Sequence, residues 1–207
     1  MKILFLTNNP ISNTLSDWLK NRTEPNENNP NNVIIWNEKI DLKNITEIQP
    51  NIVISYSYQH IIKADVLDSM QGKFINLHIS LLPYNRGADP NAWSFLENTP
   101  KGVTIHQIDQ GVDTGPILIQ KEIFFDEDSE TLGHSYGILQ DEIQDLFREN
   151  WGNIRDQLLV GYKKNENGTH HFAKEFRAIK DHLMGEEGWN VKISVFKERF
   201  KNLNFGA

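Results

Sequence analysis

The segment Asn-Ile-Val-Ile-Ser-Tyr at residues 51–56 decides the fold class of this 207-residue sequence. Its β-branched residues follow one another without polar alternation, which is typical of a strand buried on both faces of a parallel sheet. Further apolar runs share this character: ILFL (3–6), VIIW (33–36), FINLHI (74–79), VTIHQI (103–108) and ILIQKEIFF (117–125). Because helical stretches separate most of these runs, the pattern predicts an α/β fold with a Rossmann-like, mostly parallel open sheet flanked by helices.

The stretches between the apolar runs predict the helices. Asp89-Pro90 has the pattern of an N-cap followed by proline at the first helical position, and it predicts a helix from there to Glu97. The other predicted helices cover 13–20, 62–70, a long amphipathic stretch opened by Ser129 with Glu130 and Thr131, and two tail segments at 175–184 and 191–202. The polar segment 22–32 is predicted to be a surface loop. We expect a main domain over residues 1–175 and a short helical C-terminal extension over residues 176–207.

The composition disfavours several classes of protein. Apolar residues make up 38% of the chain, which is the level of a globular domain and not of a disordered one. The net charge of −7 gives no general attraction to a phosphate backbone, so we expect no nucleic-acid partner. The absence of cysteine removes disulfides and thiolate chemistry and fits a reducing compartment. The first apolar run is too short for a signal or membrane segment, and we expect a cytoplasmic protein.

Three stretches place polar groups where ligands collect, beyond the carboxyl ends of strands in an open α/β sheet. They are residues 55–60, the pair Asn76 and His78, and the loop IDQGVDTGP (108–116), which presents Asp113. Asn76 and His78 are two positions apart on a strand, so they share a face. A histidine can pass a proton near neutral pH, an amide can donate to an oxyanion, and an aspartate can orient an imidazole. Spacing alone leaves open that the histidine is structural and that the aspartate only shapes a turn.

The motifs of this region resemble those of the formyltransferase family, in the family's order. They are Asn76-Leu77-His78-Ile79-Ser80-Leu81-Leu82-Pro83, Asn85-Arg86-Gly87, Gly102-Val103-Thr104-Ile105-His106 and Val112-Asp113-Thr114-Gly115. A weaker likeness extends from the first strand to about His171. The family includes methionyl-tRNA formyltransferase, glycinamide ribonucleotide formyltransferase and the sugar N-formyltransferases.

The resemblance implies a role for each residue that matches a family position. The implied catalytic residues are Asn76, His78 and Asp113, acting through a tetrahedral intermediate, and the implied formyl donor is 10-formyltetrahydrofolate, with no metal. The implied folate-binding residues are Tyr58, Gln59, His60, Ile61, Ile62, Asp109, Gln110, Gly111 and Val112. The implied substrate-binding residues are Asn8, Asn9, Ser80, Leu82, Pro83, Arg86 and Gly87. His106 is predicted to be a core residue or a support of the site.

Departures from the family pattern bear on the acceptor. The transfer-RNA enzyme of the family carries a second, basic domain; this acidic sequence is expected to lack one, which argues against a transfer-RNA substrate. The loop LTNNPISN has no glycine where the purine-pathway enzyme has a glycine-rich phosphate loop. The stretches HISLLPYNRGADPNAW and GTHHFAKEF are most similar to the branch that formylates amino sugars. We therefore expect a dTDP- or UDP-linked 4-amino-4,6-dideoxy sugar as acceptor, a role in O-antigen or other surface-polysaccharide synthesis, and leave a homodimer open.

Other functions remain as alternatives at this stage. They are formylation of another small amine such as glycinamide ribonucleotide, hydrolysis of formyl-tetrahydrofolate, and binding of folate or nucleotide sugar without catalysis. Three results distinguish them. Release of tetrahydrofolate with an acceptor indicates a transferase, formate production without acceptor indicates a hydrolase, and binding without release indicates a non-catalytic protein.

Overall fold

A computed structural model describes the backbone of residues 1–205 and the side chains of residues 1–203. The last two positions of the predicted extension therefore lie outside the described residues. The strands are β1 (Lys2–Leu6), β2 (Asn32–Trp36), β3 (Ile52–Tyr56), β4 (Phe74–His78), β5 (Arg86–Gly87), β6 (Gly102–Gln107), β7 (Ile117–Glu122) and β8 (His170–His171). The α-helices are α1 (Asn13–Lys20), α2 (Leu42–Ile48), α3 (Ala64–Asp68), α4 (Pro90–Leu96), α5 (Leu132–Arg155), α6 (Ala173–Met184) and α7 (Ile193–Phe205).

The main sheet has the strand order β2-β1-β3-β4-β6-β7. Its first four strands are parallel. Strand β6 runs antiparallel to β4, because Ile108, just after β6, donates its backbone N–H to Phe74 at the start of β4. Strand β7 runs antiparallel to β6, since Gln107 donates to Pro116 and Ile123 donates to Lys101, so β7 has the same direction as the first four strands. The predicted α/β fold with a mostly parallel sheet is confirmed, and the reversal places the end of β6 beside the beginning of β4.

Backbone contacts group the residues into two compact units. Unit 1 comprises residues 1–78, 105–119 and 147–163, and unit 2 comprises residues 79–104, 120–146 and the chain from residue 164 onward. The predicted boundary between residues 175 and 176 stays a prediction; helix α6 begins at Ala173.

The core of unit 1 lies between the parallel strands and helices α2 and α3. Its buried members are Leu4, Leu6, Ile40, Ile45, Val53, Ile62, Val66, Leu67 and Phe74. Burying one such side chain contributes about 1.5–3 kcal/mol. Val53 and Phe74 anchor the beginnings of β3 and β4 in this core, and the candidate site is built further along β4.

The core of unit 2 is formed by α4, α6 and α7. Its buried members include Ala92, Phe95, Leu132, Phe176, Leu183, Ile193 and Phe196. Trp93 stacks on His171 with 3.9 Å between ring centroids, and His171 Nε2 lies 2.9 Å from Glu97 Oε1. The short strands β5 and β8 pair in parallel, with Arg86 beside His170 and Gly87 beside His171.

The structure refines two predicted helix starts. Asp89 and Pro90 occupy the predicted N-cap and first helical position of α4, but Asp89 has a φ of 53° and makes no side-chain capping hydrogen bond. Of the three residues predicted to open the long helix, Ser129 bonds to Asp126, whereas the Thr131 hydroxyl accepts the backbone N–H of His134. Thr131 is therefore the capping residue, because the backbone path selects one of several neighbouring candidates.

The predicted surface loop 22–32 carries a buried polar network. Glu24 is 4% exposed, and its carboxylate accepts hydrogen bonds from Asn31 Nδ2 at 2.7 Å, Trp151 Nε1 at 2.8 Å and Arg155 Nη1. Burial by itself would raise the pKa of Glu24, but these three donors hold it below its ordinary value. We call these four residues the Glu24 network. It ties the loop to α5, so the loop is more than a solvated connector.

None of the helices in the part of the chain that the structure describes is long and apolar enough to span a membrane.

Candidate functional site

Strand β4 supplies two of the predicted catalytic side chains. Asn76 and His78 lie on the same face of the strand because successive strand residues alternate. His78 is 7% exposed and Asn76 is partly buried. The antiparallel strand β6 brings His106, which is 1% exposed, opposite Asn76. The strand pairing thus places two imidazoles and one amide together.

The loop 108–116 supplies Asp113. The backbone bond from Gln107 N to Pro116 O, 2.9 Å long, closes the loop at its base. Gly115 is required there, because a Cβ at this position would lie 1.8 Å from the carbonyl oxygen of Gln107. Asp113 itself has a φ of 51°, in the left-handed region that Asp tolerates better than most residues.

The four side chains of Asn76, His78, His106 and Asp113 form one polar cluster within unit 1. Asp113 Oδ2 lies 3.6 Å from His78 Nδ1, and Asp113 Oδ1 accepts a hydrogen bond from Asn76 Nδ2 at 3.1 Å. Asp113 Oδ1 also lies 3.3 Å from His106 Nε2, which in turn is 3.2 Å from Asn76 Nδ2. The structure therefore brings together the three residues predicted as catalytic and adds His106 to them.

The hydrogen bonds assign a tautomer to His106. Its Nδ1 lies 2.7 Å from the backbone carbonyl oxygen of Gln107, which can only accept, so Nδ1 carries a proton. In the neutral ring Nε2 is then an acceptor and takes an N–H of Asn76, while the other N–H of this amide points to Asp113. An oxyanion stabilised by Asn76 would replace either His106 Nε2 or Asp113 Oδ1 as the acceptor of one of these N–H groups. The sequence predicted His106 only as core or support, because its pairing with Asn76 depends on the direction of β6.

The cluster has the groups that acyl transfer to an amine requires. The Asp113 carboxylate lies close enough to His78 to form an ion pair when the imidazole carries a proton. An imidazolium and an amide N–H can stabilise an oxyanion, and the carboxylate can accept a proton. The arrangement fits attack of an amine on a carbonyl carbon beside β4.

The first stretch predicted to bind folate has both buried and exposed side chains. The Tyr58 hydroxyl donates to the Glu38 carbonyl oxygen and accepts the backbone N–H of Ile40. The His60 ring forms a hydrogen bond with the carbonyl oxygen of Asn37. Ile62 packs in the core of unit 1, whereas Ile61 is 70% exposed and Gln59 is exposed as well.

The second stretch predicted to bind folate, residues 109–112, lies in the same unit. Val112 is 41% exposed, and the side chain of Gln110 and the backbone of Gly111 are exposed too. Asp109 uses its carboxylate within the protein, as Thr114 and Gly111 donate to it. Two exposed apolar side chains, Ile61 and Val112, are the groups in these stretches that could cover the flat face of a pterin.

The predicted substrate residues of unit 1 follow β1. Asn8 Nδ2 donates to the carbonyl oxygen of Asn37 at 2.7 Å, and Asn8 Oδ1 accepts the backbone N–H of Gln59 at 3.0 Å. Asn9 Oδ1 accepts the N–H of Ile11 and caps a short 3-10 helix. Both side chains therefore shape the loops around them, and their contact with a substrate stays a prediction.

The predicted substrate residues of unit 2 lie in the loop after β4. Ser80 is buried and donates to the carbonyl oxygen of Tyr84, and buried Leu82 accepts a hydrogen bond from Gln120. Pro83 is half-buried. Arg86 Nε donates to the carbonyl oxygen of Thr169, and Gly87 has a φ of 88° with His171 O only 2.3 Å from where a Cβ would be. Their role in binding an acceptor stays a prediction.

The described residues 1–203 contain no candidate metal-binding site. No group of three or more His, Asp or Glu side chains in this described part of the chain is arranged to hold a metal ion.

Fold and site together define an α/β protein with an Asn-His-Asp cluster, in which a parallel strand supplies Asn76 and His78 and the loop 108–116 supplies Asp113. Comparison with known sequences places it more closely: the chain belongs to the formyl transferase family, whose sequence model matches residues 26–146, more than half of its length.

Two curated relatives act on different acceptors, according to their names. A methionyl-tRNA formyltransferase of Thermodesulfovibrio yellowstonii is 32% identical over 168 residues, covering 76% of this chain and 54% of that protein. A dTDP-4-amino-4,6-dideoxyglucose formyltransferase of Mycobacterium bovis is 30% identical over 138 residues, covering 67% of this chain and 58% of that protein. The chain spans about half the length of the methionyl-tRNA formyltransferases that it matches.

A solved structure is similar over nearly the whole of both chains. The formyltransferase PseJ from Anoxybacillus kamchatkensis is 35% identical with a TM-score of 0.80, covering 95% of this chain and 97% of that one. That protein was crystallised with UDP-4,6-dideoxy-4-formamido-L-AltNAc and tetrahydrofolate.

Proposed function

We propose that this protein transfers the formyl group of 10-formyltetrahydrofolate to the amine of a dTDP- or UDP-linked 4-amino-4,6-dideoxy sugar. The observation that carries the proposal is the convergence of Asn76, His78 and Asp113 within unit 1, with the Asp113 carboxylate 3.1 Å from the amide nitrogen and 3.6 Å from the imidazole. These are the residue types that the family motifs predict for this reaction.

The proposed reaction proceeds through a tetrahedral intermediate. The acceptor nitrogen forms a bond to the formyl carbon, and the formyl oxygen becomes an oxyanion. Asn76 and protonated His78 stabilise this oxyanion. Asp113 stabilises the imidazolium and receives the proton that the attacking amine gives up. The oxyanion then becomes a carbonyl again as the bond from the formyl carbon to N10 of the folate breaks. N10 takes the proton that Asp113 received, and tetrahydrofolate leaves.

Residues 58–62 and 109–112 are the proposed folate-binding segments. Ile61 and Val112 support this assignment because they are apolar, exposed and in the same unit as the polar cluster. The backbones of these segments, rather than the side chains of Tyr58 and Asp109, are the proposed polar contacts, since both of those side chains are already bonded within the protein.

The choice of acceptor rests on similarity. PseJ, the neighbour bound to a UDP-linked 4-formamido sugar, covers almost the whole chain, whereas the match to methionyl-tRNA formyltransferases covers about half of those proteins. The acidic net charge of −7 also disfavours transfer RNA as a partner.

A direct assay tests the proposal. Purified protein is incubated with 10-formyltetrahydrofolate and a panel of acceptors: UDP- and dTDP-linked 4-amino sugars, glycinamide ribonucleotide and methionyl-tRNA. Tetrahydrofolate release and formate are both measured. We expect release with at least one nucleotide amino sugar and little formate without acceptor. Turnover of only glycinamide ribonucleotide or methionyl-tRNA would refute the acceptor class. Formate production independent of any acceptor would indicate a hydrolase, and folate binding without release a non-catalytic relative.

A further inference from the structure

The loop that presents Asp113 is fastened by side chains other than the polar cluster. Thr114 Oγ1 donates a hydrogen bond to Asp109 Oδ1, and the backbone N–H of Gly111 donates to the same oxygen at 3.1 Å. Lys163 Nζ lies 3.3 Å from Asp109 Oδ2. We call Asp109, Thr114 and Lys163 the loop latch.

The loop latch surrounds Asp113, whose backbone conformation is unfavourable unless neighbouring residues stabilise it. Asp113 has a φ of 51°, and residues with a side chain occupy this left-handed region only when their surroundings hold them there. Asp109 lies four residues before Asp113 and Thr114 directly after it. A bond between their side chains therefore closes the loop around Asp113.

The fit of the latch is tight. A Cβ at Gly111 would lie 2.1 Å from Thr114 Oγ1, so the threonine side chain lies directly over the glycine backbone. On the other side of Asp113, Gly115 packs against the carbonyl oxygen of Gln107. The loop has little space in which Asp113 could turn while both contacts persist.

The contacts of the latch differ in strength. Burial alone would raise the pKa of Asp109, but the hydrogen bonds from Thr114, Gly111 and Lys163 lower it, so the carboxylate is ionised near neutral pH. A hydrogen bond to a carboxylate is stronger than one between neutral groups. Lys163 and Asp109 are partly exposed, which makes their ion pair weak. The hydroxyl of Thr114 is therefore the main fastening.

Lys163 belongs to the chain that follows α5. Its neighbour Tyr162 is held on β7 by two backbone hydrogen bonds with Ile117, 2.7 and 3.0 Å long. The backbone next to Lys163 is thus held in place, and its exposed side chain reaches Asp109 from there.

We propose that Thr114 and Asp109, with a smaller contribution from Lys163, are positioning residues that hold the Asp113 carboxylate toward His78 and Asn76. This inference rests on the proposed function, in which Asp113 takes part in the reaction. It assigns the carboxylate of Asp109 to the loop rather than to the folate.

The test compares Thr114→Val, which keeps the shape and loses the hydroxyl, with Thr114→Ser, which keeps the hydroxyl. We expect Thr114→Val to lower kcat about 10- to 100-fold, the scale for a displaced catalytic group, with a much smaller change in KM for the folate. Thr114→Ser should retain most of the rate. Thr46→Val is the matched control, since the Thr46 hydroxyl bonds to Leu42 O on the exposed face of α2.

A double-mutant cycle shows whether the latch acts through Asp113. In an Asp113→Asn background, Thr114→Val should have almost no further effect on kcat, because residues that act as a unit are not additive. The same fold loss in both backgrounds, or Thr114→Val with the wild-type rate, would overturn the inference while leaving the proposed function intact.

If the wild-type protein transfers no formyl group, the proposed function fails. A crystal structure of Thr114→Val then tests the loop latch independently of any activity. We expect the Asp113 carboxylate to leave its position beside His78 and its φ to change. An unchanged Asp113 in that structure would overturn the latch by itself.

Discussion

Unit 1 holds two carboxylates, the buried one of Glu24 and the partly buried one of Asp113, whose surroundings differ in kind. Glu24 accepts hydrogen bonds from an amide, an indole and a guanidinium. Asp113 lies among an amide and two imidazoles. None of the donors around Glu24 releases a proton near neutral pH, whereas an imidazole gains or loses one easily. The contrast predicts a structural role for Glu24, whereas the role proposed for Asp113 depends on neighbours of a type that can exchange protons.

The largest effect expected from this comparison is on the rate. His78→Ala and Asp113→Ala should each lower kcat by roughly two to four orders of magnitude, the usual contribution of a positioned acid–base group. Steady-state kinetics with the acceptor found in the panel assay measure this change. Near-normal rates in either variant would show that the family roles are misplaced on these residues.

The next effect is on stability. Glu24→Gln should lower the free energy of unfolding by roughly 1–3 kcal/mol, because a neutral amide replaces the buried carboxylate that accepts from Asn31 and Trp151, while Arg155 keeps its pair with Asp156. Urea unfolding measures it. At temperatures where the variant is folded its kcat should equal that of the wild type. If Glu24→Gln lowered kcat and left the free energy of unfolding unchanged, Glu24 would act in the reaction and not in stability.

A smaller effect is expected at His106. His106→Leu removes the acceptor of one Asn76 N–H, and since a hydrogen bond is worth about 1 kcal/mol, kcat should fall roughly 5-fold. His106→Gln offers an oxygen acceptor and should recover part of that loss. If the two variants have equal rates, the bond to Asn76 has no part in the reaction.

The smallest effect concerns the pH dependence of stability. The pKa of Glu24 is lower in the folded protein than its ordinary value of 4.5, so the unfolded chain takes up a proton first as the pH falls. The stability that Glu24 contributes is complete above about pH 4.5 and is lost as the pH falls through the folded pKa. The difference in unfolding free energy between wild type and Glu24→Gln should therefore shrink below pH 4.5. A difference that stays constant down to pH 3 would contradict the lowered pKa.

Local patterns in the sequence predict much of the fold. The apolar runs mark the six main strands because a buried parallel strand needs apolar side chains on both faces. Helix α1 was predicted with its observed bounds. Helix α2 was not predicted, since its segment LKNITEI has few apolar residues, although Asp41 and Asn44 form a capping box at its start. The buried acid in the loop 22–32 was missed because its partners Trp151 and Arg155 lie far along the chain.

The sequence by itself determined the α/β class, the shared face of Asn76 and His78, and the formyltransferase motifs, because these depend on the order and spacing of nearby residues. Only the tertiary structure decided that β6 runs antiparallel and places His106 against Asn76, and that Asp109 and Thr114 close the loop around Asp113. These contacts depend on how strands pair and how a loop folds back. A sequence pattern does not specify them, because several pairings and turns satisfy the same local preferences.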